Sequence, residues 1–370
     1  FVTMSMMGAL FQLLPVLAGS QFPRSNITSP LIHTFFSSGI ICLALGLANY
    51  QTLLIKTALF LLLPALLAFL IGTSVSLYKA QSSHASVTGM KYSILALWIT
   101  LALGTMLTIG HGWPSVALIR HYTELHLAWA SIGWVTLMTI AIAYQVVPMF
   151  QVTNNYPNSM QRALIPGIFL LMLGWTLARY FTLSSVLNLS WLSTLMELII
   201  CLLLLSYVIM SIRLQMQRKK RLMDSSLFFW LTGLISLAIS IVIFLYTKIN
   251  YTDHSMLLGL LFFTGFASSI INGMYYKIIP FLVWLHLNKK LAFTNRSLSS
   301  IPTMHEIILQ KHSFIQFLLH LFSIIMTIAA VSYPTVFFYP AVVSWLLSWS
   351  LLLLLIIKSL LIYRNSLTAR

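Results

Sequence analysis

Apolar residues run along this chain in long blocks separated by short polar loops. Eleven blocks stand out, at 1–18, 32–49, 52–78, 92–110, 124–150, 163–182, 190–212, 226–247, 255–287, 313–332 and 335–362. Each is close to the roughly 20 residues that carry a helix across hydrocarbon. The pattern predicts an all-α membrane protein with eleven visible transmembrane helices. One stretch recurs within it. It reads Gly8-Ala9-Leu10-Phe11-Gln12-Leu13-Leu14-Pro15-Val16, then Ala141-Ile142-Ala143-Tyr144-Gln145-Val146-Val147-Pro148-Met149, then Gly273-Met274-Tyr275-Tyr276-Lys277-Ile278-Ile279-Pro280-Phe281. The prolines fall 133 and 132 residues apart, at the far ends of the first, fifth and ninth blocks. A fixed period of this kind is the sequence signature of internal repetition. It predicts one integral-membrane domain of three four-helix repeats, at about 1–88, 89–223 and 224–370, related by a pseudo-threefold axis along the membrane normal. Twelve helices complete that pattern, so the twelfth is expected before Phe1.

Composition narrows the class. Hydrophobic residues make up 59% of the chain and charged residues 7%, and mean hydropathy is +0.93. A soluble domain cannot hide that much apolar surface. The partner is therefore the lipid bilayer. The net charge of +16 points to membrane topology and not to nucleic acid. When loops are assigned to alternate sides, sixteen Lys and Arg fall on one side and only Lys56, Arg120, Arg179 and Lys248 on the other. The positive-inside rule makes the richer side cytoplasmic. The C-terminus is then inside, as in a multi-pass protein of a bacterial inner membrane. The densest cluster, Arg218-Lys219-Lys220-Arg221, reads as topogenic and lipid-facing. The loop from Asn288 to His312 includes a flexible stretch, Ser297–Pro302, with no catalytic pattern. Cys42 and Cys201 lie inside apolar runs and read as packing residues. No nucleotide fingerprint or zinc-finger spacing occurs.

The chemistry-bearing candidates are few. His121-Tyr122-Thr123-Glu124-Leu125-His126 opens the fifth block at its outer end, and Gly133-Trp134 follows. Histidine at such a lip can ligate haem or copper, relay protons, or anchor the helix at the interface. Gln12, Gln145 and Lys277 each stand three residues before a motif proline. Proline frees the carbonyl four residues back, so these side chains either satisfy it or form a cytoplasmic-facing polar opening for protons or a small solute. Glu197 sits mid-block, where a carboxylate needs a proton or a partner, and it reads as a proton relay facing the bundle interior. His33 and His320 read as packing or interfacial residues. Met4, Met6, Met7 and Met149 carry only a weak copper argument.

Three arcs of four helices with both termini inside resemble subunit I of the haem–copper oxidases. The stretch from His121 through Trp134 is similar to that family's His-Tyr-Thr-acid … His … Gly-Trp pattern. The resemblance implies a haem b or copper at His126, with His121 as a second cofactor-binding candidate and Glu124 or His121 close to His126, and respiratory-type membrane subunits as partners. The departures are specific. The block 255–287 has no internal His-x-His pair, its only histidine being His286 near the end, and 163–182 has no histidine at all. The resemblance therefore implies a redox or accessory component without the oxygen-reducing centre, and not a terminal oxidase or nitric oxide reductase. By the repeat, His126 corresponds to Leu258 in the third copy, with His254 as its nearest substitute. The rival expectation is a proton-coupled small-solute transporter or channel with no cofactor.

Overall fold

The computed structural model describes residues 1–82, 84–113, 115–116, 121–184, 186–219, 224–291 and 302–368. Each predicted block becomes a helix. In chain order these are α1 (Val2–Ala18), α2 (Ser25–Ala48), α3 (Thr52–Tyr78), α4 (Ala85–Gly112), α5 (Tyr122–Gln151), α6 (Asn158–Leu183), α7 (Ser190–Met216), α8 (Ser225–Asn250) and α9 (Ser255–Lys290). A single turn, α10 (Met304–Ile307), precedes α11 (Gln310–Ser332) and α12 (Pro334–Leu367). Ten of them are long and apolar enough to cross a membrane, and α1 is a shorter apolar helix. The protein is thus an all-helical, multi-pass integral membrane protein. Several helices overrun their apolar blocks. α2 starts at Ser25 and α4 at Ala85, because the backbone stays hydrogen-bonded within the helix as it passes into the polar interface. Arg120, Lys220, Arg221, Arg296, Arg370 and 297–301 lie outside the described residues, as does the side chain of His121.

The chain forms two compact units, one of residues 1–149 and 154–206, the other of 150–153 and 207–370. Both are apolar outside and carry their polar groups within. Leu353, Leu354 and Leu346 are exposed on α12, while its Ser344, Ser348 and Ser359 are buried. Lipid solvates leucine as well as a protein core does, so burial goes to groups that gain hydrogen bonds or close contact.

Close packing follows the small residues. On α2, Gly39 and Gly46 face α3, where an added Cβ would sit 2.7 Å from Leu62 and 2.8 Å from Ile55. Such positions let two backbones approach. α5 is buried over most of its length and organises the first unit. Midway it widens into a π-helical turn at Trp129–Thr136, and α9 does the same at Leu261–Ala267 in the second unit. The two turns are closed alike. Thr136 donates to the Ser131 carbonyl at 3.0 Å, and Ser268 donates to the Phe263 carbonyl at 2.7 Å. Their neighbours also correspond. Gly133 of α5 packs on Ala96 of α4, and Gly265 of α9 packs on Ser236 of α8. A third π turn, Leu14–Ala18, ends α1 around Pro15, whose missing N–H breaks the α-helical ladder.

Polar groups buried between the helices form the candidate functional site

In the first unit, His126 and Glu124 of α5 turn toward different helices. His126 turns to α4. Its Nδ1 lies 3.1 Å from the Thr100 carbonyl, which can only accept, so Nδ1 carries the proton and Nε2 the lone pair. Gly104, one turn further along α4, gives room for the ring. An added Cβ there would lie 2.9 Å from the imidazole Cε1. Glu124 turns instead to α6, where its carboxylate meets Arg179 at 2.5 Å. Glu124 and His126 thus make separate interactions. The pair is open to solvent on the Glu124 side, whose side chain is 42% exposed, so it contributes at most about 1 kcal/mol. Below it, the Trp129 indole donates to Thr176 at 3.0 Å.

A macrocycle ligated by His126 would need open space beside small residues on the wall of α5 such as Gly133. That wall is filled. An added Cβ at Gly133 would lie 2.9 Å from Ala96 and 2.9 Å from Trp129, with Met172 at 3.6 Å. The glycine serves close packing with α4 and does not border a space. Among the described residues, no three His, Cys, Asp or Glu side chains come together as a metal-holding group. In one respect His126 does suit an axial ligand. Its Nδ1 proton is held by a carbonyl, which leaves Nε2 for a metal.

Glu197 on α7 accepts a hydrogen bond from the Trp175 indole of α6 at 2.9 Å, so its carboxylate reaches a polar partner within the bundle. The three pre-proline residues differ from one another. Gln12 shares an exposed face of α1 with Gly8 and Val16, four residues to either side, and so does not point inward. Gln145 is half-buried on α5. Lys277 is largely buried, and its ammonium lies 2.6 Å from Asp224. Asp224 is the N-cap of α8, and its other oxygen accepts from the Leu227 amide at 3.1 Å. One carboxylate thus starts α8 and neutralises the lysine of α9, at the positive end of the helix dipole.

The most extended polar feature was not among the predicted residues. On α11, Ser313, Gln316, His320, Ser323 and Thr327 follow one another at steps of three and four, a single helical face. All but Thr327 are buried to 3% exposure or less. The opposite face, with Leu318, Phe322 and Ile325, is exposed and apolar. Each neighbour answers the stripe with polar groups. Ser225 of α8 is 2.7 Å from Ser313. Tyr276 of α9 donates to Gln316 at 3.0 Å, and Gln316 donates to Ser348 of α12 at 3.1 Å. Ser269 of α9 lies 2.8 Å from His320 Nε2. The Trp345 indole of α12 donates to Thr327 at 2.9 Å. His320 is therefore a fully buried residue in mid-helix, between the rings of Phe229 and Trp345, and not an interfacial one. The signal was present in the sequence as the three-and-four spacing of polar residues in an apolar block.

No protein-family model matches this chain, and no curated protein matches it significantly.

Proposed function

We propose that this protein moves protons across the membrane, alone or coupled to a small solute, along the polar stripe of α11. That stripe is the observation that carries the reading. Five residues from Ser313 to Thr327 span about 21 Å of helix at 1.5 Å per residue, most of the hydrocarbon thickness. Hydroxyl, amide and imidazole groups both donate and accept, as a relay requires. The Lys277–Asp224 pair stands close to one end, since Asp224 adjoins Ser225, which bonds the first residue of the stripe. The positive-inside pattern makes that end cytoplasmic, in a bacterial inner membrane with the C-terminus inside. The scaffold is proposed to be three four-helix repeats of the haem–copper oxidase subunit I type, without a complete oxygen-reducing centre. The matched π turns of α5 and α9, 132 residues apart like the motif prolines, support that repeat.

The test is proton flux into liposomes holding the purified full-length protein. A potassium diffusion potential drives it and a trapped pH dye reads it. Acidification well above that of empty liposomes is expected, falling at least tenfold in His320→Leu and Gln316→Leu proteins that retain helicity and elute as the wild type. Flux equal to that of empty liposomes overturns the reading.

A second reading is favoured by the Thr100 bond to His126. It is a haem held by His126 Nε2 on a side away from Gly133, in a redox or accessory component that assembles with respiratory-type subunits. A reduced-minus-oxidised spectrum of the full-length protein with a haem band that His126→Ala abolishes would support it. A featureless spectrum removes it.

A further inference from the structure

Three side-chain amides in the second unit are sealed from solvent and short of partners. Gln151 is 1% exposed, Gln215 is 0% and Asn272 is 1%. Among the described residues, the Gln151 carbonyl oxygen, both polar atoms of Gln215 and both of Asn272 have no hydrogen-bond partner. The backbone places them in one neighbourhood. The Gln151 amide donates to Ser226 at 3.4 Å, and Ser226 donates to the carbonyl of Gly273, next to Asn272, at 2.8 Å. The Lys219 amide, one turn beyond Gln215, donates to the carbonyl of Val152, next to Gln151, at 3.0 Å. Asn272 also stands between Ser269 and Tyr276 on α9, which bond His320 and Gln316. A buried amide left dry bears the full cost of its desolvation, and three together bear it three times. Native interiors meet such a demand with ordered water.

We propose that Gln151, Gln215 and Asn272 hold a cluster of internal water molecules. The cluster extends the α11 stripe toward the Lys277–Asp224 pair and lets protons pass between them. Side-chain amides carry no charge and offer donors and acceptors together, which suits water. The proton-conducting role rests on the reading of the stripe given above. The hydration does not.

Leucine at these positions separates wet from dry. It matches the branched shape of asparagine, is one atom shorter than glutamine, and makes none of their hydrogen bonds. If the amides are dry, Asn272→Leu and Gln215→Leu raise the unfolding temperature and leave proton flux unchanged, and the proposal fails. If they hold conducting water, flux falls at least tenfold while the protein stays folded. Hydration is read separately by water-edited solid-state NMR of the wild type. Magnetisation from water should reach the Asn272 and Gln215 side-chain amides at least tenfold faster than the ring of Phe266, a buried site on the same helix as Asn272. Fast transfer with no wild-type flux sinks the proton reading and keeps the water. Slow transfer at both amides overturns the water cluster, whatever the flux.

Discussion

Asp224 accepts the Leu227 amide with one oxygen and meets the Lys277 ammonium with the other. Removing it leaves a mostly buried lysine without its nearest anion and a helix without its cap. Asp224→Ala is expected to cost about 3–5 kcal/mol, as for a broken buried pair. Asp224→Asn together with Lys277→Met should cost much less, because the cap survives and no charge is stranded. Thermal unfolding in detergent checks both, and equal losses in the single and double variants would contradict the coupling. Glu306 offers a pH test. Its carboxylate accepts from the Thr303 backbone and hydroxyl, and these bonds hold its pKa below the usual carboxylate value. A depressed folded pKa means the turn is stabilised above the ordinary glutamate pKa and loosens as pH falls through the folded one. Amide exchange over Met304–Ile307 should therefore quicken in acid. Glu306→Gln should lose much of that pH dependence.

At the scale of the helix, the π turns set where α5 and α9 approach their neighbours. Gly265 meets Ser236 so closely that an added Cβ would lie 2.7 Å from it. Gly265→Ala should destabilise by about 1–3 kcal/mol, the usual cost of overpacking. Ser236→Gly in the same chain should recover most of it, since the clash is with the serine Cβ and Oγ. In the first unit, Ala96→Gly should recover less of the loss in Gly133→Ala, because the added Cβ would still lie 2.9 Å from the Trp129 ring. A loss in the double variants as large as in the singles would place the strain elsewhere in the turn.

Across the whole molecule, orientation is the property most open to test. The described basic residues Lys289, Lys290, Lys311, Lys358 and Arg364 all belong to the side proposed to be cytoplasmic. A green fluorescent protein fused after Arg370 should fluoresce in a bacterial host. Alkaline phosphatase at the same place should be inactive. The opposite result would reverse the stripe's proposed direction.

The sequence by itself determined the class and the spans. A run of some 20 apolar residues has to become a helix in lipid, since nothing else there satisfies its backbone. Hydropathy therefore located all eleven helices, though not their polar ends. It also showed that Lys277 and Glu197 needed partners, because an ionisable group in hydrocarbon is costly alone. Which partners they took was decided by tertiary structure. Asp224 lies 53 residues from Lys277, and Trp175 lies 22 from Glu197. No local pattern encodes such a meeting. The same holds for His126, whose carbonyl partner sits on α4, and for Gly133, whose open side proved to be the face of a neighbouring helix. The polar stripe of α11 lies between these cases. Its spacing was legible in the chain. That the stripe faces Ser225, Tyr276, Ser269 and Ser348 rather than lipid was fixed only when α8, α9 and α12 packed around it, because a helix's pattern gives its faces and its neighbours decide what each face meets.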